Sequence, residues 1–177
     1  MMNEKTTVEI LQRTQHDLMN HLQVIQGYLA MDKIDVVKEK LDECINYYEQ
    51  ERKLFHTNAQ QFILWTTQFN HHHGNIQLIY HVNCDNLNLC YIDQQLIEDG
   101  QWVVSMIKKY GSETKLYEVN LELNKISDSK ATLSFTVFDQ FKELYSLTCS
   151  EHNQSVSVKQ SGENIIYEFS YTIGEMR

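Results

Sequence analysis

Gln15-His16-Asp17-Leu18-Met19-Asn20-His21-Leu22-Gln23-Val24-Ile25-Gln26-Gly27 places its apolar residues at helical rather than strand intervals. Extended in both directions, Val8, Leu11, Gln15, Leu18, Leu22, Ile25 and Leu29 step alternately by three and four, the a/d seam of a heptad with only Gln15 polar. The spacing predicts one long helix over residues 5 to 31. After a break at Asp32-Lys33, a second seam runs through Ile34, Val37, Leu41, Cys44, Tyr48 and Phe55 and is weakest at Glu51. Helices joined by so short a turn lie antiparallel.

One hairpin cannot cover its own apolar surface, because Met19, Ile45 and Tyr47 fall beside the seam rather than on it. Two hairpins paired as a homodimeric four-helix bundle would cover them. The alternative is a monomer whose hairpin packs on its own C-terminal domain.

Beyond residue 57 the pattern changes. Phe62, Ile63, Trp65, Thr66 and Phe69 predict a helix over residues 60 to 70, Ile76 to Val82 a strand, and Ile92 to Tyr110 a helix stopped by Gly111. Strand-like runs follow at Leu116 to Leu123, Ala131 to Phe138, Val156 to Lys159 and Ile165 to Ile173, the last in strict alternation. The expected fold is α+β: a helical hairpin over 1–57 and a mixed α/β unit over 58–177, with helices on one face of an antiparallel-rich sheet. With no proline or low-complexity linker, the boundary near His56-Thr57-Asn58 rests on the change of pattern alone.

A chain of 177 residues can divide into a helical element and a domain of about 100 residues. Its formal charge of −9 is spread over both parts, ten acids opposing seven cations in residues 1–57. Such a surface gives nucleic acid and anionic membranes no electrostatic footprint and favours protein or cation partners. No apolar run approaches a membrane span, and Met1-Met2-Asn3-Glu4-Lys5 opens a polar segment unlike a signal peptide, so the expected location is cytoplasmic. Cys44, Cys84, Cys90 and Cys149 form no CxxC pair and are expected to be buried thiols.

With Gln15 at an a position, His16 is at b, outside the seam. Its neighbours on that face are Gln12, Arg13, Met19, Asn20, Gln23 and Gly27. A solvent-facing imidazole is mostly neutral at cytoplasmic pH, as a phosphate-accepting nucleophile must be. Arg13, one turn before, could contact a phosphate carried on His16. Asn20, one turn after, could donate to that phosphate or to an attacking oxygen, and Asp17 could orient the ring. Gly27 costs about 1 kcal/mol relative to alanine within a helix, which close approach of another backbone would explain, as would a local weak point or packing against the second helix.

The stretch His16-Asp17-x-Met19-Asn20-x-Leu22-Gln23-x-Ile25-x-Gly27, with the short turn and second helix after it, closely resembles the sporulation initiation phosphotransferase B family of bacilli. A similar pattern marks the phosphoacceptor helices of related membrane sensor kinases. The residue before the histidine is often arginine in these relatives and is Gln15 here, so no cationic role carries over to that place. The resemblance implies a dimeric four-helix bundle in which His16 takes a phosphoryl group from the aspartyl phosphate of one response regulator and gives it to the aspartate of a second. No nucleotide is consumed, and any Mg²⁺ arrives with the regulator. It also implies a C-terminal domain like the ATP-binding domain of histidine kinases without its nucleotide site.

The remaining residues agree with that loss. The counterpart helix has Gln101 and Ser105 where the kinase pattern has an acid and an asparagine. Residues 112–177 contain only Gly162 and Gly174, with neither D-x-G-x-G nor G-x-G to approach phosphates closely. Two other readings stay open, a non-enzymatic dimeric adaptor that binds a response regulator and a truncated sensor kinase. His71-His72-His73 with His81 lacks a completing ligand and is expected to be a solvated loop rather than a metal site. His21, near the seam, is expected to pack rather than react.

Overall fold

The computed structural model describes residues 4–85, 87–138 and 156–173. Helices α1 (Glu4–Ala30) and α2 (Ile34–Phe55) are joined by three residues. The joint is a Schellman turn: Lys33 N donates to Tyr28 O and Asp32 N to Leu29 O, each at 3.0 Å, satisfying carbonyls that the helix end would otherwise strand. Asp32 takes φ 57° there, a left-handed conformation that aspartate tolerates because its short polar side chain can bond locally.

The ring of His21 lies 5.5 Å from Tyr47 and 6.2 Å from Tyr48, so α2 returns alongside α1 and His21 packs within the hairpin. Cys44 is buried, yet much of both seams stays open: Leu11 is 59% exposed, Leu22 47%, Leu29 55% and Leu41 45%. Met19, Ile45 and Tyr47, beside the seams, are open to a similar degree.

The chain forms two compact units, Met1–Glu49 and Gln50–Arg177. The division falls inside α2 because its last turns belong to the second core: Leu54 is fully buried, and Gln50 Oε1 accepts Val82 N–H at 2.7 Å.

The second unit continues with α3 (Gln60–His72), β1 (Ile76–Val82), a 3₁₀ turn at Cys90–Ile92, α4 (Asp93–Tyr110), β2 (Tyr117–Ser127), β3 (Lys130–Phe138), β4 (Val156–Ser161) and β5 (Asn164–Thr172). The sheet order is β1-β2-β3-β5-β4, with β1 parallel to β2 and every other pair antiparallel. A parallel pair needs a crossover, and α4 supplies it.

Alternation puts Val119, Leu121 and Leu123 of β2, Leu133, Phe135 and Val137 of β3, and Ile165, Tyr167 and Phe169 of β5 in the core. α4 lies on that face: Trp102 meets Tyr167 and Phe169 edge-on at 5.6 and 6.1 Å, and Tyr171 Oη donates to the buried Asp99 carboxylate at 2.5 Å. Burial and the Asp99 charge push the Tyr171 phenol far above its ordinary range, so it stays a proton donor.

Helix α3 has no capping side chain of its own at Ala59, and Asp93, at the start of α4, takes that role. Its carboxylate accepts Phe62 N–H at 2.8 Å and Gln61 N–H at 3.0 Å. Lower down, Trp65 presses on Gly100, where an added Cβ would stand 2.6 Å from the indole ring. The Asp93 and Gly100 contacts fix α3 against α4.

Three expectations change. α3 extends to His72 and is closed by His73 N–H on Phe69 O at 3.1 Å, so the histidine run is a helix end rather than a loop. β2 runs on to Ser127 because β3 continues to pair with it. Cys90 is exposed at the 3₁₀ turn, where its amide donates to Asn88 Oδ1, and Cys84 is half-buried; the described cysteines are free thiols. Cys149, Gly174 and Met1 to Asn3 lie outside the described residues. Among those described, no helix is long and apolar enough to cross a membrane.

Candidate phosphoacceptor site

His16 stands at mid-length of α1, where the seam points its side chain away from the hairpin contact. The imidazole is 71% exposed. Two groups converge on one of its nitrogens: Asp17 Oδ1 lies 3.3 Å from Nδ1, and Asn20 Nδ2 lies 3.2 Å from the same atom. Among the described residues Nε2 has no hydrogen-bond partner. The helix explains both contacts, since Asn20 is one turn on and Asp17, although rotated about 100° away, has a short side chain that curls back along the surface.

The contacts ask for opposite tautomers. A proton on Nδ1 donates to Asp17 and leaves the Nε2 lone pair pointing into solvent as a nucleophile. A bare Nδ1 would accept from the Asn20 amide and put the proton on Nε2, where it blocks attack. Asp17 carries a full charge and Asn20 only a dipole, so the Nδ1–H form is favoured. Turning the Asn20 amide over would let its oxygen accept from the same Nδ1–H, and the two orientations are equivalent in shape.

Of the sequence-predicted residues, the structure brings Asp17 and Asn20 onto the His16 ring. Gln12, Met19 and Gln23 are exposed on the same helix, with Met19 at 52%, and Arg13 is partly covered; none is hydrogen-bonded to His16. Gly27 has open space around it, with nothing within 4 Å of where a Cβ would stand. Packing on the second helix therefore does not account for this glycine.

Among the described residues Asp17 is the carboxylate that contacts His16. Among the described residues no group of three histidine, cysteine or acidic side chains could hold a metal ion, at His16 or at His71 to His73. In the second unit Gln101 and Ser105 are exposed on α4, and the Ser105 hydroxyl is turned back onto Trp102 O at 2.7 Å. Gly162 serves the tight turn between β4 and β5, with φ 63°. What sequence reasoning missed lies between α3 and α4, where residues far apart in the chain line a cavity that no local pattern announces.

Residues 1–57 match the family model described as the sensor kinase SpoOB-type alpha-helical domain, in agreement with the resemblance read from His16 to Gly27. No curated protein matches the chain. Solved structures similar to it include histidine kinases. One is the histidine kinase domain of the blue-light activated kinase of Erythrobacter litoralis, at 10% identity and TM-score 0.49, covering 65% of this chain and 60% of that one. Another is the histidine kinase ThkA in complex with the response regulator TrrA, at 16% identity and TM-score 0.44, covering 98% of this chain and 65% of that one. The chain thus spans less than two thirds of either relative's length.

Proposed function

We propose, from the premise that residues 1–57 match a SpoOB-type helical domain, that the protein is a phosphotransferase of two-component signalling. In this reading His16 relays a phosphoryl group between two response regulators of a sporulation phosphorelay. The observation that carries it is the His16 ring itself, exposed, with Asp17 and Asn20 both on Nδ1 and Nε2 free for attack.

The Nε2 lone pair attacks phosphorus in the aspartyl phosphate of the donor regulator. The bond to the aspartate oxygen breaks, and the carboxylate leaves with its electron pair. The ring, now carrying phosphate on Nε2 and a proton on Nδ1, gains positive charge that the adjacent Asp17 carboxylate offsets. Transfer to the second regulator reverses these steps, with its aspartate oxygen as nucleophile and neutral His16 as leaving group. Positioning and charge neutralisation dominate such transfers. Arg13 is the cation placed on the His16 face to meet the travelling phosphate, and Mg²⁺ comes with the regulator's own acidic site.

Two further features belong to the same reading. The exposed leucines of both seams are the surface a second hairpin would cover, giving a homodimeric four-helix bundle in the cytoplasm. The open flank at Gln12, Met19, Gln23 and Gly27 is where a regulator would dock, the glycine admitting close backbone approach. The C-terminal domain, with Gln101 and Ser105 in place of metal-binding groups, does not supply ATP.

The test is label transfer. Purified protein should take label from a phosphorylated response regulator and pass it to a second one. His16→Gln should abolish uptake, and ATP with Mg²⁺ should label nothing. Regulator binding without any phosphohistidine would indicate an adaptor, and labelling from ATP a kinase.

A further inference from the structure

Between α3 and α4 the second unit forms a half-open cavity of about 450 Å³, a size typical of small-ligand sites. Its floor is apolar, made by Trp65, Phe69 and Val104. Its rim is polar, with His72 and Gln68 from α3 facing Gln101, Ser105 and Lys108 from α4. Lys108 also lines a second cavity of about 420 Å³, in which Glu113 is the acidic residue. The wall of the first cavity holds no carboxylate, in a chain whose net charge is −9. Among the described residues none pairs with the Lys108 ammonium.

A second observation concerns His73, whose ring lines the same cavity 4.4 Å from Phe69. Its Nδ1 is buried and has no hydrogen-bond partner among the described residues. An apolar floor, amide and hydroxyl groups on the rim, an uncompensated cation at one end and an unsatisfied imidazole in the wall together match a particular ligand chemistry.

We propose that this cavity binds a small organic anion with a flat apolar body, the body lying on the partly exposed Trp65 ring and the carboxylate reaching Lys108. The site is independent of phosphotransfer at His16. Trp65 is held rigid for the purpose: Phe62 stacks on it at 5.8 Å, Phe69 meets it edge-on at 5.0 Å and Gly100 backs it. A floor that is already ordered loses little entropy when a ligand settles on it.

The experiment titrates the full-length protein with 2-naphthoate, its neutral analogue 2-naphthamide, inorganic phosphate and ADP, followed by amide and indole NMR shifts. 2-Naphthoate is expected to bind with a Kd on the order of 1 mM, reasonable for a ligand of its size. It should shift Trp65, Gln68 and Lys108, and 2-naphthamide should bind about tenfold more weakly. Lys108→Met and Gln101→Glu, both at exposed positions, should each weaken 2-naphthoate about tenfold. Lys109→Met and His16→Gln should leave it unchanged. Equal binding of the neutral analogue, unchanged affinity in Lys108→Met, tighter binding of ADP or of phosphate alone, or shifts confined to residues 8–49 would each overturn the proposal.

Discussion

The Asn20 side-chain amide stands 3.2 Å from His16 Nδ1, the ring atom that Asp17 also approaches, at 3.3 Å. In the proposed transfer both groups therefore act on the nitrogen turned from the phosphate and set the state of the one that attacks. Asp17 does so with charge, and Asp17→Ala should reduce phosphoryl acceptance about tenfold, the worth of one exposed charge-assisted hydrogen bond. Asn20→Ala, which loosens the ring without changing its charge, should cost about threefold. Initial rates of label uptake from a phosphorylated regulator check both; a larger loss in Asn20→Ala than in Asp17→Ala would reverse the assigned order.

Gly27 separates a folding role from a docking role. A Cβ there meets nothing in the hairpin, so Gly27→Ala should stabilise α1 by up to about 1 kcal/mol. If a regulator backbone approaches at this point, the same variant should transfer phosphoryl groups at least about fivefold more slowly. Thermal denaturation beside a transfer assay reads both. Greater stability with full transfer would remove Gly27 from the docking surface.

Gly100 is constrained in the opposite way. The Trp65 ring that an added methyl would strike is held between Phe62 and Phe69 and has little room to retreat. Gly100→Ala should therefore destabilise the second unit by about 1–3 kcal/mol, as overpacking does. Urea denaturation of this variant beside Gly27→Ala should give shifts of opposite sign.

How far the sequence could be read depends on the range of the interactions. The a/d seam of α1 and the strict alternation from Ile165 to Ile173 depend on neighbours within a turn or a strand, and both were legible. So was the His16 constellation, because one helical turn brings His16 and Asn20 together. Asp93 capping α3 from 31 residues away, Trp65 meeting Gly100, and the order β1-β2-β3-β5-β4 depend on tertiary placement that no local period encodes. The α1–α2 turn was located by its break in pattern, yet its left-handed residue is Asp32 where a glycine would have been the usual signal. The solvated loop expected at His71 to His73 fails in part at His73, half-buried because its ring packs on Phe69, 4.4 Å away.

That partial burial has a pH consequence. Desolvation, with lesser contributions from Lys108 and His72, holds the His73 imidazole below its ordinary value of 6.5. The folded state then binds fewer protons than the unfolded chain as pH falls through that value. His73 thus favours folding fully above about pH 6.5, and the advantage is lost at lower pH. The drop in urea midpoint between pH 7.5 and pH 5.5 should be smaller in His73→Gln than in the parent. An equal or larger drop in the variant would assign the acid sensitivity elsewhere.

In the proposed relay His16 carries phosphate on its outward nitrogen. Protein incubated with a labelled phosphorylated regulator, digested with trypsin and analysed under basic conditions tests it most directly. Acid-labile, base-stable phosphate is expected on the single peptide containing His16, attached at Nε2, and none after His16→Gln. Phosphate on another peptide, or undiminished labelling in His16→Gln, would contradict it.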